Sequence, residues 1–170
     1  MATSNPVIAR TGSAMLRRPW SRTAWQYAAV LPSVLLCYGF AWIWLRELTL
    51  RANLAFDALF GVHLQVLTPL SVSWQGHLFD YRIACTFVDV WFGAWPLLWS
   101  WRKPLVANVA VILGLAPVLF AFNIVRLTIS DVLFAKGVPW AVAHGGLGGV
   151  CYFVVWVLIE RYRAREAGAV

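Results

Sequence analysis

An apolar run over residues 104–127 ends with an arginine, and this combination constrains the chain more than any other feature of its sequence. The run is long enough to cross the roughly 30 Å hydrocarbon core of a bilayer at about 1.5 Å per helical residue. An arginine at mid-bilayer costs about 2.5–3.5 kcal/mol, so intramembrane charges are kept where they have a function or a partner. Arg126 therefore directs attention to other polar residues at the same depth.

The composition indicates an integral membrane protein. Hydrophobic residues make up 61% of the 170 residues, and the 11 Trp add to an apolar surface that one small soluble domain could not cover. The net charge of +7 would indicate a nucleic-acid partner in a soluble chain, but most basic residues here flank apolar runs. That pattern orients helices in a membrane. We therefore expect the lipid bilayer as the surroundings and no nucleic-acid partner.

The apolar runs predict an all-α integral membrane protein with about four transmembrane helices. The predicted spans are residues 24–45, 84–101, 104–127 and 139–159. The predicted organisation is a basic cytoplasmic tail over residues 1–22, a membrane domain over residues 23–161 and a cytoplasmic tail over residues 162–170. A polar connection over residues 128–138 is expected to join the last two spans.

Residues 46–83 are predicted to lie outside the cytoplasm. Charged residues interrupt an apolar segment of helical spacing over residues 46–67, which favours an amphipathic helix that is interfacial or re-entrant. Alternation of apolar and polar residues over residues 71–83, with Gln75 and Gly76 in the middle, predicts a small β-hairpin with glycine in its turn.

The distribution of basic residues predicts the orientation. With four spans, both tails and the connection at residues 102–104 share one side of the membrane, and most of the lysines and arginines lie there. They are Arg10, Arg17, Arg18, Arg22, Arg102, Lys103, Arg161, Arg163 and Arg165. The positive-inside rule therefore predicts that both termini are cytoplasmic.

Three reactive residues are predicted to share one depth. Counting about 1.5 Å per residue from the basic cytoplasmic positions puts Cys85, Arg126 and His144 roughly 25–33 Å from the inner face. Three different helices would thus bring a thiol, a guanidinium and an imidazole to the outer leaflet, close to water.

This set of residues is typical of cysteine-dependent acyl transfer. A thiolate attacks a carbonyl, and Cys85 is expected at a helix start, where the helix dipole and a nearby cation lower the thiol pKa. His144 would protonate the leaving amine, and Arg126 would hold the oxyanion. Asn123 would support Arg126 from one helical turn earlier, and Asp89 is interpreted as a polar tether in preference to a catalytic acid. No metal site and no cofactor are predicted.

Each residue alone has another interpretation. Cys85 could be an inert buried thiol, and His144 an interfacial residue or a haem ligand. Arg126 could snorkel to the interface or pair with Asp131 or Asp89. Two other function classes therefore stay open: a small haem- or quinone-binding membrane subunit, and a non-catalytic membrane scaffold or transporter subunit.

Three sequence elements resemble the signatures of the exosortase/archaeosortase family. They are Ala84-Cys85-Thr86 after the predicted hairpin, Asn123-x-x-Arg126 near the end of a helix, and His144 with glycines after it. The resemblance covers roughly residues 66–155 and is that of a short, minimal-core member. The chain departs from the family pattern at Phe87, where relatives usually carry a small residue, often glycine.

The resemblance implies a membrane-embedded cysteine peptidase or transpeptidase, a hydrolase acting in protein sorting. By this likeness Cys85 matches the nucleophile, Arg126 the invariant arginine, His144 the histidine, and Asn123 a further motif position. The implied partner is an exported protein with a C-terminal signal made of a short motif, a transmembrane helix and a basic cluster. The implied location is the bacterial inner membrane, with the active site on its outer face.

Overall fold

The computed structural model of the protein describes residues 22–74 and 76–168, a mostly helical chain with one small sheet. The helices are α1 (Arg22–Tyr38), α2 (Ile43–Leu59), α3 (Val88–Leu98), α4 (Leu105–Ala135) and α5 (Leu147–Gly168). The strands are β1 (Gln65–Thr68), β2 (Ser71–Trp74) and β3 (His77–Asp80), and a 3₁₀ turn (Ile83–Cys85) and a π-helical turn (Ala141–Gly146) precede α3 and α5. The predicted tail over residues 1–22 lies, apart from Arg22, outside the described residues.

The helices are those of a membrane protein. Among the described residues, two helices are long and apolar enough to cross a bilayer: α4, and α5 together with the π-helical turn before it. The pair formed by α1 and α2 also meets the length and composition criteria, but its helices meet at an angle of 86°. The described part of the chain therefore has two candidate spans, or three if the bent pair counts as one.

The predicted span over residues 84–101 is not one membrane-length helix. Its helical part, α3, has 11 residues, about 16 Å at 1.5 Å per residue. Phe87 precedes it with φ of 57°, in the left-handed region, and the backbone becomes extended again at Trp99. These two positions end the helix on either side, although the sequence between and beyond them is apolar.

The first predicted span, residues 24–45, is also shorter than expected. Helix α1 ends at Tyr38, and the chain turns before α2 begins at Ile43. The indole nitrogen of Trp42 donates to the carbonyl oxygen of Cys37 at 2.8 Å, and Trp42 has a φ of 49°. This contact fixes the sharp bend that separates α1 from α2.

The predicted hairpin is part of a three-stranded antiparallel sheet in the order β1-β2-β3. Strand β1 overlaps the end of residues 46–67, which were predicted to form one helix, and in the structure that helix ends at Leu59. Gly76 adopts a φ of 83° in the turn before β3, as predicted, and Gln75 lies outside the described residues. One face of the sheet packs on α4, where Phe79 meets Phe134 with ring centroids 5.6 Å apart.

The last two helices extend further toward the C-terminus than predicted. Helix α4 continues to Ala135 through most of the expected polar connection, residues 128–138, because its polar side chains are buried against α2 and against the helix itself. Thr128 donates to Asn53 Oδ1 at 3.3 Å, and Ser130 donates to the carbonyl oxygen of Arg126 at 3.0 Å. Helix α5 likewise runs through the predicted tail, residues 162–170, as far as Gly168.

Short α3 lies in the middle of the helices and contacts α1, α4 and α5. The main apolar cluster joins α3 to α4 and α5 through Phe87, Val90, Ala94, Leu97, Leu119, Val155 and Ile159. Because lipid is as apolar as this cluster, the contacts between the helices are stabilised by close packing of these side chains and not by their removal from water. The cluster holds the start of α3, and with it the preceding turn that carries Cys85.

Candidate active site

Cys85 is the last residue of the 3₁₀ turn between β3 and α3 and is half-buried. Its amide donates to the carbonyl oxygen of Arg82 at 2.9 Å, and its own carbonyl oxygen accepts from Asn123 Nδ2 at 2.6 Å. Burial raises the pKa of the Cys85 thiol, and the hydrogen bond at Arg82 and the charge of Arg126 offset this only in part. The sequence predicted that a helix dipole would lower the Cys85 pKa, but α3 begins only at Val88 and burial has the larger effect. In the absence of substrate the Cys85 side chain is therefore the neutral thiol.

Arg126 is 3% exposed and lies in the C-terminal half of α4. Its Nε and Nη2 donate to Asn123 Oδ1 at 3.2 and 3.1 Å, and its guanidinium carbon lies 5.1 Å from the centroid of the Phe87 ring. A Cβ added to Gly148 would lie 3.3 Å from Nη1, so α5 approaches the guanidinium closely. Among the described residues Arg126 forms no ion pair, and neither Asp131 nor Asp89 is the salt-bridge partner considered from the sequence.

His144 lies in the π-helical turn before α5. Its ring stacks on Trp140, with centroids 4.5 Å apart and an interplanar angle of 12°, which fixes the imidazole plane. Its Nδ1 is buried and has no hydrogen-bond partner among the described residues. A ring that is held in place but has a free nitrogen is suited to accept or donate a proton during a reaction.

A cavity of about 380 Å³ connects these elements. Both Cys85 and His144 line it, together with Tyr81, Asp131 and part of β3. Arg126 and Asn123 are not lining residues; they lie behind the cavity, where Asn123 contacts both the Cys85 backbone and the arginine. The structure thus brings together the three residues predicted to be catalytic, two at the cavity wall and one behind it.

Asp89, in the first turn of α3, does not line this cavity. Its Oδ2 accepts from the hydroxyls of Tyr38 at 3.1 Å and Tyr152 at 3.0 Å, and the Tyr152 hydroxyl also lies 3.3 Å from the carbonyl oxygen of Ala84. Asp89 therefore ties α1, α3 and α5 together beside the cysteine turn. This arrangement is that of a polar tether.

A buried polar cluster beside the cavity was not predicted. Asn53 Nδ2 lies 2.8 Å from Asp57 Oδ2, 2.6 Å from Asp131 Oδ2 and 2.9 Å from the Tyr81 hydroxyl. Burial raises the pKa of Tyr81, and the charges of Asp131 and Asp57 raise it further, so the Tyr81 hydroxyl stays protonated while it accepts from Asn53. The signal in the sequence was the spacing of four between Thr49, Asn53 and Asp57, which puts three polar side chains on one buried stripe of α2.

The arrangement puts a thiol and an imidazole at the wall of one cavity and a buried guanidinium behind it. Among the described residues, no group of three or more His, Cys, Asp or Glu side chains is placed to hold a metal ion. No protein-family model, no curated protein and no solved structure matches this chain significantly.

Proposed function

We propose that this protein is a membrane-embedded cysteine peptidase or transpeptidase. Its substrates would be exported, membrane-anchored proteins with a C-terminal sorting signal, processed at the outer face of the inner membrane. The observation that carries the proposal is that Cys85 and His144 line one cavity, while Asn123 links the Cys85 backbone to the buried Arg126. Nucleophile, base and cation are the components of thiol-dependent acyl transfer.

In the proposed reaction, His144 accepts the proton of the Cys85 thiol as the sulfur forms a bond to the substrate carbonyl carbon. The carbonyl oxygen becomes an oxyanion, and the positive charge of Arg126 stabilises it. Collapse of this intermediate breaks the C–N bond, and His144 returns the proton to the leaving amine. Water or an amine acceptor then attacks the thioester carbon, which releases the product and restores the Cys85 thiol.

The raised pKa of Cys85 is compatible with this sequence of steps. A buried neutral thiol is a weak nucleophile until a base removes its proton, and His144 at the same cavity is the candidate base. The thiolate would therefore form only as the substrate reacts, and the neutral thiol of the resting protein is less open to oxidation.

For the topology we propose four crossings, by α1, α3, α4 and α5, with both termini in the cytoplasm. Contacts at one end of the bundle support it: Tyr27 donates to Glu160 at 2.8 Å, and Lys103 forms an ion pair with Glu166. Among the described residues, this end carries Arg22, Arg102, Lys103, Arg161, Arg163 and Arg165, and it lies at the other end of α5 from His144. The short α3 is compatible with a crossing because its neighbours cover it, so its non-helical ends need not face lipid.

Co-expression tests the function directly. Tagged exported proteins from the same genome that end in an apolar helix and a basic cluster are expressed with the wild-type protein and with Cys85→Ala. We expect a shortened product that disappears with Cys85→Ala while the variant protein accumulates normally. Cys151→Ala is the matched control, since Cys151 is another half-buried free cysteine, on α5. Processing by Cys85→Ala at the wild-type level would refute the proposed function.

A further inference from the structure

Strand β3 is an edge strand that forms part of the cavity wall. In the described part of the chain it pairs with β2 alone. Its residues Leu78, Phe79 and Asp80 line the cavity that also contains Cys85 and His144. One edge of the sheet therefore borders the candidate catalytic groups, and the cysteine turn follows directly along the chain.

The register shows which backbone groups of β3 are free. The amide of Tyr81 donates to the carbonyl oxygen of Leu70 at 2.8 Å, so the backbone at Tyr81 and, by alternation, at Phe79 is directed toward β2. The N–H and C=O groups of Leu78 and Asp80 are consequently directed away from β2. A row of unpaired donors and acceptors of this kind is a template for another extended chain.

We propose that an extended segment of the substrate pairs with β3 as a fourth strand and that this pairing delivers the scissile carbonyl to Cys85. The inference rests on the proposed function, whose substrate is a polypeptide. Strand addition supplies affinity through main-chain hydrogen bonds and leaves side-chain recognition to neighbouring pockets. Here the apolar side chains of Leu64, Phe79 and Trp140 at the cavity wall would contact the substrate side chains.

The chemistry of the edge favours a peptide over a lipid chain. Close to the bilayer, unpaired backbone N–H and C=O groups are costly, and a hydrocarbon chain offers them no partner. An extended peptide carries donors and acceptors at the repeat of the strand itself. A lipid could occupy the cavity, but it would leave Leu78 and Asp80 without backbone partners.

The two edges of the sheet provide a matched pair of variants. Leu78→Pro removes the outward N–H of β3, and Leu78 is 62% exposed. On the opposite edge, Val66 pairs with Val72, whose backbone is directed toward Phe79, so Val66 also has its N–H directed outward and is 53% exposed. Val66→Pro therefore makes the same change on the edge that does not border the cavity.

The binding test uses the full-length Cys85→Ala protein in lipid nanodiscs and a library of random decapeptides with a terminal photoreactive group. A captured peptide is sequenced, resynthesised and titrated. We expect Leu78→Pro to weaken its binding by about fivefold or more, the loss expected for one or two hydrogen bonds, and Val66→Pro to change it by less than about twofold. No captured peptide, or equal binding by the two proline variants, would overturn the inference.

Modified peptides test the same point without altering the protein. Single N-methyl groups are placed along the captured peptide, and binding is measured to the protein with Leu78 intact. Because alternate residues of a strand direct their N–H groups to opposite sides, we expect N-methylation to weaken binding at every second position only. Equal effects at all positions, or no effect at any, would contradict strand pairing even if Leu78→Pro folds poorly.

The outcomes separate this inference from the proposed function. Capture by the Cys85→Ala protein requires no catalysis, so it reports on the edge of β3 alone. If Cys85→Ala still processes substrate but Leu78→Pro loses capture, the catalytic proposal fails and the binding edge remains. If Cys85→Ala abolishes processing while Leu78→Pro and Val66→Pro capture peptide equally, the catalytic proposal remains and strand addition fails.

Discussion

The side-chain amide of Asn123 joins Cys85 to Arg126: its nitrogen donates to the Cys85 carbonyl oxygen at 2.6 Å, and its oxygen accepts from Arg126 Nε and Nη2. All three residues are thus coupled across α4 and the turn before α3. A single neutral side chain fulfils both contacts because an amide has a donor and an acceptor. The position of the thiol therefore depends on a residue that does not line the cavity.

We expect Asn123→Ala to lower the processing rate by about tenfold, because the cysteine turn and the arginine both lose their common partner. The measurement is the rate of product formation at equal protein accumulation. Asn108→Ala is the control: Asn108 is another buried asparagine of α4, bonded to the Ser100 backbone at the opposite end of the helix. Equal loss of rate in the two variants would assign Asn123 a role in stability alone.

Phe87 has a left-handed backbone conformation, and its φ of 57° is one that glycine adopts freely. Its ring is 1% exposed and packs against Phe122, Tyr152 and the Arg126 guanidinium. Removing such a ring costs about 3–5 kcal/mol, whereas relief of the left-handed backbone returns about 1–2 kcal/mol to glycine but not to alanine.

Both Phe87→Gly and Phe87→Ala should therefore be less stable than the wild type, with Phe87→Gly the more stable of the two. Thermal unfolding midpoints in one detergent measure the order. The pair removes the same ring contacts, so the difference between them isolates the backbone conformation. A lower midpoint for Phe87→Gly than for Phe87→Ala would contradict the left-handed conformation at this position.

Much of the arrangement around the cavity follows from helical geometry. Because each helical residue adds a fixed rise, counting along the sequence predicts one depth for Cys85 and His144. In the structure both residues line one cavity. The contact between Asn123 and Arg126 likewise follows from their spacing of three on one helix. These relationships are local or depend on distance along a helix, so a single sequence contains them.

The features that were predicted wrongly depend on contacts or backbone conformations that the pattern of apolar and polar residues does not reveal. Thr128 and Asp131 looked like a polar connection because nothing in one sequence indicates that they contact Asn53 of α2. The helix predicted over residues 46–67 included most of β1, which forms a strand by pairing with β2. The apolar pattern through Phe87 concealed a backbone conformation that ends the helix.

The raised pKa of Cys85 predicts a pH dependence for its alkylation. A free thiol has a pKa of about 8.5, and burial shifts that of Cys85 upward, so its reaction with iodoacetamide should increase at higher pH than that of a model thiol. Because the charge of Arg126 acts to lower this pKa, Arg126→Gln should move the profile to still higher pH, and Arg126→Lys should move it less. Alkylation is measured by mass spectrometry in a Cys37→Ala, Cys151→Ala background.

The raised pKa of Cys85 also makes the free energy of unfolding depend on pH. Above about pH 8.5 the unfolded chain releases the Cys85 proton while the folded chain retains it, so the free energy of unfolding falls as pH rises through that range. In the same background, Cys85→Ala should remove this component of the decrease. An alkylation profile at or below that of the model thiol, or an identical pH dependence of stability after Cys85→Ala, would show that burial does not control the thiol.

The side-chain amide of Asn53 is the centre of the buried polar cluster beside the cavity. Asn53 is 0% exposed, and its amide nitrogen lies within hydrogen-bond distance of both Asp57 and Asp131. Asn53→Asp changes little in size but replaces the shared donor with a third carboxyl group, and loss of a buried partner of charged groups costs about 3 kcal/mol or more. We expect a large fall in the thermal unfolding midpoint and in the amount of folded protein recovered from membranes.

Asp57→Asn is the matched variant, because it makes the reverse change within the same cluster. It replaces one of two neighbouring carboxyl groups with an amide, which is neutral and can donate a hydrogen bond to the other carboxyl group, so its midpoint should equal or exceed that of the wild type. If Asn53→Asp and Asp57→Asn have equal midpoints, the Asn53 amide is not what holds α2 to α4. If only Asn53→Asp is unstable, the side of the cavity formed by Asp131 and Tyr81 depends on that amide.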